Sequence, residues 1–207
     1  MTAIEIGRLL RASISGCVVG CRVSQLTVPA FGSLVRIPLD QAGSQVYGLI
    51  YDIHIDDDGL VRQLVTAEGV AEEVILDNRV NRNVPVEISV IFTGYTQGEA
   101  VYHLLPPRPP LTLDAMYLCS EQEVIRFVQA RRFGYFRHIL RANDLPYGEL
   151  LAAHLQQAAA AQRAAGDTAW ARAAAQEIIT LLRDDYPTLM SVLGALSDIP
   201  LELETGQ

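Results

Sequence analysis

The run Pro106-Pro-Arg-Pro-Pro110 constrains the fold more than any other segment of the chain. Its four prolines remove four backbone donors and fix φ, so neither a strand ladder nor a helix can pass through it. Whatever folds must do so on either side. Residues 106–115 are therefore expected to form a stiff extended linker between residues 1–105 and a unit over 116–200, with 201–207 as a tail.

The two sides differ in pattern. Residues 3–105 carry short Val-, Ile- and Tyr-rich runs between turn signals, the pattern of an all-β unit, barrel or sandwich. Strands are expected near 4–13, 16–23, 34–37, 46–55, 85–95 and 100–105. Val46-Tyr-Gly-Leu-Ile-Tyr-Asp-Ile53 is almost continuously apolar, so both its faces need cover. One face fills the interior, and the other meets a second layer or a partner. Tyr47, Leu49 and Tyr51 are the candidate interface residues. Val86, Ile88, Val90 and Phe92 alternate onto one face of a later strand. Between Gln63 and Arg82 the pattern loosens, and Ala71–Asp77 reads as a short inserted helix.

Past the prolines the period becomes helical. Ser120 with Glu123 makes a capping box for a helix reaching to about Leu140, in which Gly134 is a candidate kink. Tyr147–Ala165 reads as a second helix stopped by Gly166. Asp167 caps a third to about Arg183, and Asp184 or Asp185 with Pro187 starts a fourth that ends near Leu196. Thirteen of the 37 residues from Tyr147 to Arg183 are Ala. Such helices pack closely but bury little area, and so need something to lean on.

Composition excludes several chemistries. All 16 basic residues are Arg, against 24 acids and a net charge of -8. Without Lys there is no phosphate-binding loop of the G-x-x-x-x-G-K-[ST] type, no pyridoxal Schiff base and no catalytic Lys. The charge opposes bulk coating of nucleic acid or anionic lipid. No segment has the length and apolarity of a membrane span, and Cys17, Cys21 and Cys119 fit buried thiols in a reducing compartment. A cytoplasmic protein is expected.

Catalytic patterns are missing. There is no G-x-S-x-G elbow and no H-E-x-x-H helix, and His103, His138 and His154 have no His or Cys partner at ligand spacing. His54 with Asp52 and Asp56–Asp58 could suit a hard cation, but Asp runs before Gly are ordinary hairpin turns. No catalytic residue, metal or cofactor is assigned, and the expectation is a protein that is not an enzyme. The most distinctive segment is Arg126–Arg141, with five Arg and four aromatics in sixteen residues. Arg126, Arg131, Arg132 and Arg137 are candidates to hold phosphates or a partner's carboxylates, with Tyr135 or Phe133 stacking. The alternative is an amphipathic helix whose aromatics are core and whose arginines pair with nearby acids.

Phe31-Gly-Ser-Leu-Val-Arg-Ile37 followed by Val46-Tyr-Gly-Leu-Ile-Tyr-Asp-Ile53, with Ile6-Gly-Arg-Leu-Leu10 as a first strand, resembles the HAS-barrel, the small β-barrel named for HerA and ATP synthase. The Leu105–Pro110 segment and Leu181–Tyr186 also resemble standalone bacterial HAS-barrel proteins that have no ATPase motor. The resemblance implies a small closed N-terminal β-barrel of about six strands followed by an all-α bundle of three to four helices. It also implies assembly instead of turnover. The expected role is a non-catalytic adaptor that self-associates as a homo-oligomer or docks on a separately encoded HerA-like ATPase, with a nuclease of the NurA type as a further partner. A nucleic-acid-binding module using the barrel surface or the Arg-rich helix is the alternative.

Overall fold

A computed structural model describes residues 3–23, 29–39, 43–55, 59, 66–67, 70–74, 84–142 and 145–198. Among these residues seven strands form one antiparallel sheet: β1 (Glu5–Ala12), β2 (Gly16–Val23), β3 (Leu34–Pro38), β4 (Gln45–Ile55), β5 (Val84–Gln97), β6 (Ala100–Tyr102) and β7 (Ala115–Leu118). Their order is β2-β1-β7-β3-β4-β5-β6, and β2 also pairs with β5. That extra pairing closes six strands into a barrel and leaves β6 as a hairpin flap on β5.

Alternation explains the closure. Val86, Ile88, Val90 and Phe92 of β5 point inward with Leu9, Val19, Ile37, Val46, Ile50 and Met116, filling the barrel with aliphatic side chains. The β4 run is covered on both faces, as its apolarity requires. Val46 and Ile50 belong to the barrel interior, whereas Tyr47 and Leu49 belong to a second core shared with the helices.

One barrel strand comes from beyond the prolines. Ala115–Leu118 inserts between β1 and β3, in register Arg8↔Ala115 and Val35↔Leu118. The barrel therefore extends past residue 105, and the segment expected to open the helical unit at 116 is strand. The proline stretch is a loop within the barrel chain instead of a spacer between bodies.

Five α-helices follow among the described residues: α1 (Glu121–Gln129), α2 (Phe136–Leu140), α3 (Tyr147–Ala164), α4 (Trp170–Leu181) and α5 (Tyr186–Ser197). Ser120 and Glu123 form the capping box on α1, and the Asp185 side chain accepts from the Thr188 amide ahead of α5. The helix expected to run to Leu140 breaks earlier than Gly134. Ala130–Phe133 is a 3₁₀ turn in which Arg131, Arg132 and Phe133 have φ of 50°, 47° and 60°. Glu72–Val74 forms a helical turn, and the rest of the 71–77 expectation lies outside the described residues, as do Asp56–Asp58.

The two parts share a core. Leu34, Tyr47, Leu49 and Ile91 from the barrel pack with Phe127, Tyr135, Leu150 and Leu155 from the helices. Gly94 permits this approach: a Cβ there would fall 2.8 Å from Phe127 Cε2 and 2.5 Å from the Tyr102 carbonyl oxygen. The Ala-rich α3 leans on the barrel, which answers its shortage of buried area.

Candidate functional site

A chain of rings joins barrel to helices. Tyr47 stacks on Phe127 at 5.0 Å, Phe127 meets His103 at 4.8 Å, and His103 meets Tyr135 at 4.9 Å. Tyr135 then touches Phe136 at 4.7 Å, and Phe136 stacks on Phe133, which contacts Trp170. Tyr47 and Leu49 are 5% and 0% exposed, so both are spent inside the chain, and Tyr51 packs partly against the same core. The cover anticipated for the outer face of β4 is the chain's own helices.

The buried histidines are structural. His154 Nδ1 lies 3.2 Å from the Gly32 carbonyl oxygen, which can only accept, so Nδ1 carries the proton and Nε2 accepts from the Tyr135 hydroxyl at 3.1 Å. Burial pushes this imidazole down to about 4, against the opposing pull of the Gly32 carbonyl. His103 likewise donates from Nε2 to the Phe127 carbonyl at 3.0 Å, and burial lowers it to about 4. Both are neutral ties between loop, helix and strand. Among the described residues no group of three His, Cys, Asp or Glu converges as a metal site would.

The arginines expected to act together are dispersed. Arg126 donates to the Glu99 carbonyl at 2.7 Å and pairs with its carboxylate at 2.9 Å. Arg131 donates to the Val101 carbonyl at 3.2 Å and lies over the Tyr102 ring, 5.3 Å from its centroid. Arg132 is exposed on the 3₁₀ turn, and Arg137 donates inward to the His103 carbonyl. No stripe gathers the four. The pairing with acids anticipated for this segment is met at Arg126 alone of these four, among the described residues.

Arg137 instead belongs to a different grouping. Between the β1–β2 hairpin and α2 lies a cleft of about 720 Å³, lined by Arg11 from the hairpin, by Arg137, His138 and Arg141 from α2 and its end, and by Tyr51, Leu105 and Leu145. Arg137 and Arg141 are one helical turn apart, a spacing visible in the sequence. Arg11 is more than a hundred positions away, and no local pattern links it to them. Burial, assisted by the neighbouring Arg137 and Arg141 charges, lowers the His138 imidazole below its ordinary value, while its bond to the His103 carbonyl opposes the shift.

A second surface lies across the barrel. In the closed order, β1 is three strands from β4 in either direction, so it lies across the barrel from the strand that the helices cover, and its hairpin end alone lines the cleft with α2. On the side away from β4, Leu10 and Leu113, 48% and 69% exposed, line a shallow groove with Arg8, Glu87 and Gly20, and Cys21, which packs partly against the barrel core, also reaches it. Leu113 has φ 70°, and its N–H donates to the Leu9 carbonyl at 2.9 Å while Arg8 donates to the Leu113 carbonyl at 3.0 Å.

Compared with known protein families and with curated proteins, the chain matches none. Among the described residues no helix is long and apolar enough to cross a membrane.

Proposed function

We propose that this chain is a non-catalytic assembly protein whose barrel joins subunits through the outer face of β1. The partner is another barrel, that of a second copy or of a separately encoded HerA-like ATPase, as the HAS-barrel resemblance of Ile6–Leu10, Phe31–Ile37 and Val46–Ile53 implies. A NurA-type nuclease would enter the same assembly through the ATPase.

The observation that carries this reading is Leu113. An L-residue in the left-handed region costs about 1–2 kcal/mol, and here two hydrogen bonds hold it so while its side chain stays in solvent. With Leu10, which lines the same groove, and with Leu111, 72% exposed on the same turn, it offers apolar surface across the barrel from β4. Burying such a patch against a like surface is favourable by about 25 cal/mol per Å².

Sedimentation velocity tests it, on the chain alone across a concentration series and mixed with a HerA-like ATPase from the same genome. Association is expected in at least one arm, and Leu113→Asp and Leu10→Asp should abolish it without changing the circular dichroism spectrum. A monomer in both arms, or association that both variants retain, overturns the reading.

A further inference from the structure

The cleft between the β1–β2 hairpin and α2 is a local inversion of the chain's charge. Acids outnumber arginines 24 to 16 overall, yet three arginines and one histidine line this cleft and no described lining residue is acidic. Their charge is little compensated. Arg11 has only a long 3.9 Å contact to Glu87, and its side chain is 70% exposed. Arg137 uses one donor on the His103 carbonyl and keeps others. The Arg141 guanidinium has no hydrogen bond or ion pair among the described residues. Cations held at the rim of a low-dielectric wall focus a positive potential, and guanidinium groups match phosphate oxygens in pairs.

The rest of the lining is of another character. Tyr51, Leu105 and Leu145 offer a ring and two aliphatic side chains, and the volume of about 720 Å³ falls within the range of small-molecule sites. We propose that this cleft binds a phosphorylated small molecule of nucleotide size, with its phosphate between Arg11 and Arg141 and its ring against Tyr51. A nucleic-acid strand fits less well, because it needs a row of cations leading out of the cleft. Arg126 and Arg131 are instead tied to Glu99 and the Val101 carbonyl.

Isothermal titration calorimetry of the full chain at low salt with AMP, pyrophosphate, adenosine and a thymidine oligonucleotide tests this. AMP should bind about tenfold or more tighter than adenosine, and Arg141→Ala and Arg11→Ala should each weaken AMP about tenfold. Arg183→Ala, at a residue that does not line the cleft, should leave it unchanged. Because Arg11 and Arg141 are exposed, unchanged melting temperatures are expected for both variants and would exclude misfolding. The proposal is overturned by equal affinity for AMP and adenosine, by wild-type affinity in both cleft variants, by no AMP binding up to about 1 mM, or by an oligonucleotide that binds where AMP does not.

Discussion

Arg36 on β3 and Glu123 on α1 form an ion pair at 2.6 Å, with side chains 15% and 28% exposed. The same carboxylate accepts from the Ser120 amide at 2.8 Å and so closes the capping box. One side chain therefore starts the first helix and fastens it to the barrel. Glu123→Ala removes both functions and leaves Arg36 half desolvated. It is expected to cost about 2 kcal/mol, and Glu123→Gln, which keeps an acceptor for the cap, about half of that. Urea denaturation measures both. A loss under about 0.5 kcal/mol for the alanine variant would mean that solvent screens the pair.

The two buried histidines set an acid limit on stability. Burial lowers His103 and His154 to about 4, from an ordinary value of 6.5. Between those values the unfolded chain binds protons that the folded chain refuses, so stability is complete above about pH 6.5 and falls as the pH drops toward 4. Each histidine contributes of order 3 kcal/mol to the fall. Protonated His154 could no longer accept from Tyr135, whose hydroxyl is 3.1 Å away. The urea midpoint should drop steeply between pH 7 and 4.5, and His154→Gln should flatten that slope by about half. A midpoint constant over the interval would show that neither imidazole is held neutral by the fold.

Features written by neighbouring residues were legible in the sequence. Ser120 with Glu123 and Asp185 with Pro187 mark helix starts because a cap needs only three or four residues. The inward face of β5 is legible because strand period 2 is local. What escaped depends on distant partners. The four residues of β7 become strand only because β1 and β3 flank them, and the break at Ala130–Phe133 has no proline to announce it. There Phe133 takes a left-handed conformation and stacks on Phe136 at 5.3 Å, so ring packing overrides helical spacing. The cleft escapes for the same reason: Arg137 and Arg141 are an i,i+4 pair legible in the sequence, but Arg11 joins them only through the tertiary fold. The apolarity of Tyr47 and Leu49 requires cover by a second layer or a partner without saying which, and the second layer is the chain's own helices.

The three thiols should divide by reactivity. Cys17 lies inside the barrel, where burial pushes its thiol up to about 12, and Cys119 is raised well above its ordinary value by burial and then by Glu123. Cys21 is half-buried, packing partly against the barrel core while lining the groove beside β1, and is raised only by partial burial. Since the thiolate is the reactive form, a disulfide reagent at pH 8 should modify one thiol in the native protein, and slowly, but three in denaturant. Mass spectrometry of the native adduct should find it at Cys21. If the protein assembles through β1, labelling should slow as concentration rises.

Two glycines separate backbone strain from steric exclusion. Gly43 has φ 85° with no atom within 4 Å of a Cβ placed on it, so Gly43→Ala meets only the left-handed penalty of about 1 kcal/mol. Gly32 has φ 80°, and its Cβ would fall 2.8 Å from both the Ala153 Cβ and the His154 amide nitrogen. Its carbonyl also accepts from His154 Nδ1 at 3.2 Å, so displacing the loop breaks the tie that keeps that imidazole neutral. Gly32→Ala is therefore expected to cost about 3 kcal/mol or more, and to weaken the acid dependence of stability, which Gly43→Ala leaves unchanged. Equal losses in the two variants would mean that α3 moves aside freely, and that the contact between this loop and the helix is not what holds the barrel against the bundle.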